Sequence, residues 1–353
     1  MIAFLSDIHL GTKLKKSDYL KSLDFFINKI KEHKEQCHCI FVCGDLFDHR
    51  LSIEDSRFAS IFLLKLVCNE CGRDGRTHVP VHFIHGTYSH DNEQYDIFIP
   101  MLQKIDNTEV FYTKDTCSGT LHNGMSVLYL PQIYGDFDYV PYFKNKYDII
   151  VGHGPMSSDV KEPCKSAQYE ITQPADILGK ISNVCVFGHY HGYTEFGNNV
   201  FYEGSMLRWM YGEDEEKCFL FCNDDFTVQR IPNPFALEFK TIEVNNPEDL
   251  RDIISTEITT PHRFIIHTDK DDLETYHSIM NVNKKNQNLK FQVISNEEEI
   301  VEDAIAQDEE ILETNNSSIE GPIQSLISYI SEKYNVDTSQ EIHEYDQKIN
   351  KEE

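Results

Sequence analysis

The stretch that decides the fold is "VCVFGHYHG", Val184–Gly192. An apolar run of strand length, with β-branched and aromatic side chains, ends abruptly in Gly188, His189, Tyr190 and His191, which reads as a buried strand that delivers histidines at its end. A second run, "YDIIVGHG", Tyr147–Gly154, ends on the same Gly-His pair. Polar groups gathered where apolar strands end mark the usual ligand edge of an open α/β sheet.

Working outward, further strands are read at "MSVLYLP" (125–131), "NNVFYEGS" (198–205), "KCFLFCN" (217–223) and "FTVQRIP" (226–232). Nearer the start, "MIAFLSDIHLG" is a short apolar run ending in acid and histidine. It is followed by Tyr19, Leu20, Leu23, Phe25, Phe26, Ile27 and Ile30 at helical spacing. "CIFVCGDLFD" (39–48) is a second strand ending on carboxylates, and Phe58, Ile61, Phe62, Leu64 and Leu66 mark a second helix. A third strand, "VPVHFI" (79–84), opens the loop "HGTYSHD", His85–Asp91. Strand, helix, strand, helix, strand predicts an α/β layout with at least a partly parallel core.

"IPNPF", Ile231–Phe235, reads as a proline-stiffened boundary. It separates a main domain, 1–232, from a small α+β domain, 236–296, suggested by "LEFKTIEV" and "HRFIIHT". Residues 297–321 have the composition of an acidic linker. Residues 322–336 then place Ile323, Leu326, Ile327 and Ile330 on one face of a helix, read as one that docks in a partner's groove.

The chain has 353 residues and a formal net charge of -27, which argues against broad, unassisted binding to a phosphate backbone. That charge is uneven. Residues 1–235 carry 22 Lys and Arg against 32 Asp and Glu, while residues 236–353 carry 10 against 27, so most excess acidity lies outside the motif-bearing region. Ten cysteines, three of them (Cys39, Cys43 and Cys185) inside apolar runs, suit buried free thiols in a reducing compartment. "CNEC", Cys68–Cys71, with His78 downstream, is the one zinc-like spacing, and no second pair follows it. No apolar run approaches the roughly 20 residues that span a bilayer, and "MIAFLSDIHLG" meets charge too early for a signal peptide, so a cytoplasmic location is expected.

The chemistry-bearing groups are Asp7-x-His9, Gly44-Asp45-x-x-Asp48, Gly152-His153 and Gly188-His189-x-His191. Aspartate and histidine are ligands for Zn, Mn or Fe, and a pair of such ions needs a bridging carboxylate and several imidazoles. On an extended strand end, residues i and i+2 share a face, which would aim Asp7 with His9 and His189 with His191.

These motifs resemble the calcineurin-like metallophosphoesterases, whose pattern runs D-x-H, G-D-x-x-D, G-N-H-D, G-H and G-H-x-H; four of the five elements match here. "SDIHLG", "GDLFDHR" and "YEGSMLRWMYGEDEEKCF" further resemble the SbcD branch, the nuclease subunit of a DNA double-strand-break processing complex, most of all its bacteriophage recombination versions. The resemblance implies a β-sandwich flanked by helices and two divalent metal ions, manganese foremost. Asp7, His9 and His191 would hold one ion, His153 and His189 the other, and Asp45 would bridge. It also implies catalytic roles for His90, Asp48 and Asp91: His90 donates a proton to the leaving oxygen and Asp48 braces the second motif. The implied activity is 3′-5′ exonuclease on duplex ends and endonuclease on single strands. DNA, an SbcC-type coiled-coil ATPase and a second copy of the chain are the implied partners. The helices around Leu20–Ile30 and Phe58–Val67 are candidates for the homodimer contact, and Lys13, Lys15, Lys16, Arg50 and Arg208 for phosphate contacts.

The third motif departs from the pattern. "HGTYSHD" keeps Gly86, His90 and Asp91 but has two added residues and no asparagine, so Thr87, Ser89, His90 or a water must stand in for that metal ligand. Two other readings stay open: a phosphoesterase for small phosphate esters or cyclic nucleotides, and a non-catalytic scaffold of the same fold.

Overall fold

Short apolar runs bounded by Gly, Pro, Asp and Asn become the strands, and their order along the chain alternates with amphipathic helices as the pattern predicts. The computed structural model describes residues 1–295, apart from 34–36, 73–75, 166–169, 198, 257, 269 and 287. The acidic linker at 297–321 and the helix at 322–336 lie outside the described residues. The described residues divide into two units: 1–207 with 215–235, and 208–214 with 236–295.

In the first unit the order is β1 (Ile2–Leu5), α1 (Lys16–Glu32), β2 (Ile40–Cys43), α2 (Ile53–Val67), β3 (Val81–Ile84), α3 (Tyr88–Asp91), α4 (Tyr95–Leu102), β4 (Val110–Thr113), β5 (Cys117–Thr120) and β6 (Ser126–Leu130). It continues with α5 (Val140–Phe143), β7 (Tyr147–His153), β8 (Met156–Ser157), β9 (Cys164–Lys165), β10 (Ile171–Pro174) and α6 (Ala175–Ile181). Last come β11 (Ser182–Gly188), β12 (Thr194–Glu195), β13 (Val200–Tyr202), β14 (Cys218–Cys222) and β15 (Val228–Pro232).

Two six-stranded sheets result, ordered β15-β14-β1-β2-β3-β4 and β12-β13-β11-β7-β6-β5. Each has a parallel centre, β1 to β4 in one and β6, β7, β11, β13 in the other, with antiparallel strands at the margins. They pack face to face through Phe4, Phe41, Cys43 and Leu220 from one sheet and Val127, Ile149, Val151, Val184 and Val186 from the other. This is the sandwich the resemblance implies, held by apolar area whose burial contributes about 25 cal/mol per Å².

Helices cover the outer faces. Tyr19, Leu23, Phe26, Ile27 and Ile30 of α1, and Phe58, Phe62, Leu63, Leu66 and Val67 of α2, are buried in this unit's own core. The apolar residues offered for a homodimer contact are therefore mostly spent internally; on α2 only Ile53 and Ile61 stay exposed among the large apolar side chains. Ser52 caps α2 by accepting the Asp55 N–H.

The parallel wiring positions the site. In β1, β2 and β3 the carboxyl ends fall at one edge, and in the second sheet Gly188 pairs with His153 at the matching edge. Here the sheets are stitched together: the Cys43 carbonyl accepts from Ser6 Oγ (3.1 Å) and from His153 Nδ1 (2.8 Å).

The second unit contains β16 (Lys240–Val244), α7 (Pro247–Ile254), β17 (His262–Thr268), α8 (Lys270–Asn283) and β18 (Leu289–Ser295). Its three strands are parallel and are joined through the two helices, around Val244, Leu250, Phe264, Ile266, Tyr276 and Val293. All ten cysteines are free. Cys68, Cys71 and His78 form no metal-holding group among the described residues; His78 Nδ1 instead accepts the Glu70 N–H at 3.1 Å.

Candidate metal centre

Asp7 and His9 lie beyond the end of β1, and both have left-handed backbone, φ 47° and 51°. Asp45 (φ 46°) follows β2 in the same way, and His189 (φ 117°) follows β11. The period-2 argument for Asp7 with His9 and His189 with His191 is thereby corrected: sharp turns, not strand alternation, bring these side chains together. Each non-glycine residue in such a conformation costs on the order of 1–3 kcal/mol and persists only where its surroundings enforce it. The enforcement is visible: Ile8 and His9 donate their N–H groups to the Asp45 carbonyl (2.9 and 3.0 Å), and Asp7 N–H bonds Gly44 O (3.3 Å). Gly44 has no alternative, since a Cβ there would lie 2.3 Å from His153 Nδ1.

Three groups result whose ligand atoms lie within 4.8 Å of one another: Asp7, His9 and His191; His9, Asp48 and His90; and Asp7, Asp45 and His153. Asp7 is common to two of them, and His9 Nε2 is 3.9 Å from Asp45 Oδ2, which joins them into one centre. His189 enters none of these triads, but its ring is 5.5 Å from that of His153 and its backbone N–H donates to both Asp7 carboxylate oxygens. Ser6 donates to the same Asp7 carboxylate.

The donor chemistry fits divalent cations. The His153 Nδ1–H is held by the Cys43 carbonyl, which leaves Nε2, 3.2 Å from Asp45 Oδ1, as the nitrogen a cation would meet once its proton is displaced. Burial works to lower the His153 pKa, but Asp45 outweighs it and raises it to about 10. For Asp45, burial pushes upward, and His153 foremost, with His9 and His90, holds the carboxyl well below the usual range. A buried carboxylate that drags a proton onto a buried imidazole marks a place built for positive charge. Burial, aided by His153, lowers His189 to about 4, leaving a neutral ring able to ligate at neutral pH.

Thr87 turns into the centre: its N–H donates to Asp45 Oδ1 (2.6 Å), and its hydroxyl donates to Asp45 Oδ2 (3.2 Å) and lies 3.4 Å from His153 Nε2. Ser89 is exposed on α3. Of the two hydroxyls offered in place of asparagine, the structure brings in Thr87. His90 Nδ1 contacts the Asp48 carbonyl at 2.5 Å, and its ring meets that of His9 edge-on at 4.8 Å. Asp48 is half-buried, 3.5 Å from His9 Nδ1 and 2.8 Å from His49 Nδ1.

Asp91, expected among the catalytic groups, is placed differently. It is wholly buried, and its carboxylate accepts from the N–H groups of Leu46 (2.9 Å), Phe47 (3.2 Å) and Gly86 (2.7 Å). Burial pushes this carboxyl up to about 8, Asp45 adding to the rise, while the Gly86 and Phe47 N–H groups pull the other way. Asp91 clamps the loop after β2 to the loop after β3, and it has no solvent-exposed surface.

Among the basic residues, Lys13, Lys15 and Arg50 are exposed. Lys16 is instead engaged by Glu54 (2.7 Å) and Asp55 (3.3 Å), and Arg208 by the carbonyls of Glu213 and Ala236 (both 2.8 Å). Missed in the sequence is Lys217, a buried lysine whose Nζ donates to the His191 carbonyl (2.8 Å) and to Glu215 (2.7 Å). Ser205 N–H reaches the same carbonyl at 3.0 Å, which gives the Gly-Ser after the last motif a role in holding His191.

The family model described as calcineurin-like phosphoesterase matches residues 1–193, a stretch that holds all six expected ligands. The chain belongs to that family. Membership in the calcineurin-like phosphoesterases carries metal-dependent phosphoester hydrolysis with it, and divalent metals as cofactors. No curated protein matches. Among solved structures 35 chains match; one crystal structure, 13% identical, aligns over 66% of this chain and 98% of its own with a TM-score of 0.39, too low to carry weight. Among the described residues of this calcineurin-like phosphoesterase, no helix is long and apolar enough to cross a membrane.

Proposed function

We propose that this phosphoesterase is a DNA nuclease, the SbcD-like subunit of a recombination or repair complex, working with two manganese ions. The observation that carries the reading is the joined Asp7/His9/His191 and Asp7/Asp45/His153 clusters at the carboxyl edge of both sheets. The branch is supported by "SDIHLG", "GDLFDHR" and the "YEGSMLRWMYGEDEEKCF" segment, whose Gly-Ser and buried Lys217 brace His191.

In this reading Asp7, His9 and His191 would hold one ion and His153 and His189 the other, with the Asp45 carboxylate available to both groups and the Thr87 hydroxyl beside His153. Bound there, two divalent ions would supply Lewis acidity and lower the pKa of a water for phosphoester hydrolysis. With its Nδ1–H on the Asp48 carbonyl, His90 keeps Nε2 for a proton delivered to the leaving oxygen. Asp48 steadies His9 and His90 together, and Asp91 fixes the loop that carries Thr87 and His90. A homodimer contact through exposed Ile53 and Ile61, and an SbcC-type ATPase engaged by residues 322–336, complete the proposal.

The test is digestion of linear duplex DNA with manganese by the wild-type protein and Asp45→Ala. Wild type should degrade the DNA and Asp45→Ala should lose at least about a thousandfold in rate, in line with removing a group that contacts both reacting centres. Equal digestion by both proteins, or none by wild type even with its ATPase partner and ATP, overturns the reading.

A further inference from the structure

Among the described residues, the exposed tyrosines are Tyr88, Tyr134 and Tyr190, at 58%, 42% and 56% exposure. Single exposed aromatics are ordinary on a protein surface. These three are not scattered along the chain: they follow β3, β6 and β11, the strands whose ends carry the loops of the metal centre, and Tyr88 and Tyr190 stand next to Thr87 and His189. Tyr88 adjoins Thr87, which bonds Asp45, and the Tyr88 N–H donates to the Tyr134 hydroxyl at 3.3 Å. Tyr190 lies between His189 and His191; its ring meets the His189 ring edge-on at 5.4 Å, and the His189 ring is 5.5 Å from that of His153. Behind it stands Tyr202, 5.0 Å away, whose hydroxyl donates to the Gly154 carbonyl at 3.1 Å.

The charge distribution says what such rings would do. Residues 1–235 carry 32 acidic against 22 basic side chains, and of the five basic candidates Lys16 and Arg208 are already engaged, so the overall charge opposes binding through phosphates alone. Stacking a base on an aromatic ring needs no net charge and tolerates any sequence. Tyr190, backed by Tyr202, is also already ordered, so little side-chain freedom is lost on contact.

We propose that Tyr88, Tyr134 and Tyr190 form a stacking rim for the nucleobases that flank the scissile phosphate of a single-stranded nucleic acid. This deepens the nuclease reading and rests on it. The rim makes the substrate's bases, rather than its phosphates, the main source of affinity.

The test uses the full chain with manganese and two single strands of equal length, one with natural bases and one built of abasic tetrahydrofuran units. Wild type should cut the natural strand at least about tenfold more efficiently, the gap lying mainly in KM. Tyr190→Ala, Tyr134→Ala and Tyr88→Ala should each narrow that gap, whereas Tyr190→Phe, which keeps the ring, should preserve it. Without turnover, in EDTA, a 2-aminopurine strand should be quenched on binding wild type and Tyr190→Phe, and less so on Tyr190→Ala. Equal cutting of natural and abasic strands by wild type overturns the rim while leaving the nuclease reading intact. Cleavage of neither strand, alongside hydrolysis of p-nitrophenyl phosphate, overturns both.

Discussion

Replacing Thr87 by valine isolates one hydroxyl at the metal centre. Valine keeps the shape, the β-branch and the N–H that donates to Asp45 Oδ1. No helix cap is lost, because the Thr87 side chain makes no capping bond to α3 although it occupies the N-cap position. What disappears is the hydroxyl 3.2 Å from Asp45 Oδ2 and 3.4 Å from His153 Nε2. A hydrogen bond to a charged group contributes about 1.5–3 kcal/mol, and the 3.2 Å length puts this one at the lower end. About 1.5 kcal/mol corresponds to roughly tenfold in affinity, which is also the lower bound for losing a group that orients metal ligands. Manganese titration of Thr87→Val, followed by calorimetry, should therefore show one site weakened about tenfold and the other nearly unchanged. Thr87→Asn, which restores the family's amide, should tighten the same site by a similar factor. If neither substitution moves either affinity, Thr87 does not stand in for the missing asparagine.

Lys217→Met should destabilise the protein by about 2 kcal/mol in urea unfolding, since the His191 carbonyl and Glu215 each lose a charged donor, and should loosen manganese on the His191 side. His153 in the metal-free protein carries its proton up to about pH 10 because Asp45 overrides the effect of burial, so manganese binding at pH 7–8 should release close to one proton. Calorimetry in buffers of differing ionisation enthalpy reads that release directly, and zero release would contradict the Asp45–His153 pairing. His82 is buried beside the Tyr129 hydroxyl, and burial, helped slightly by His122, lowers its pKa from 6.5 to about 3. The unfolded chain then binds a proton the folded one refuses, so stability falls as pH drops below 6.5 and the loss levels off near 3, at about 5 kcal/mol. His82→Phe should flatten this part of the stability profile; an unchanged difference from wild type between pH 7 and 3.5 would contradict it.

Much of the fold was legible because apolar runs fix where strands lie and their parallel wiring fixes where the strands end. From "VCVFGHYHG" and "YDIIVGHG" alone, the histidines had to sit at one sheet edge. Their convergence was legible for an inexact reason: the left-handed backbone of Asp7, His9, Asp45 and His189 depends on contacts between loops distant in sequence, such as His9 N–H to Asp45 O. The same limit explains Asp91, whose three donors come from two loops, and Lys217, which looks like any lysine before a strand until its burial against His191 is seen. Choosing between Thr87 and Ser89 needed the direction of a short helix, which spacing does not give. That Lys16 and Arg208 already have partners was not legible, because local sequence does not show which acids and carbonyls engage them.

The central claim is that this chain holds two divalent ions between the ends of its two sheets. Anomalous diffraction from crystals of the full chain soaked in manganese tests it most directly. Two peaks are expected about 3.5–4 Å apart, one beside His9 and His191 and one beside His153, with Asp45 touching both. A single peak, or two peaks with Asp45 on neither, would contradict it.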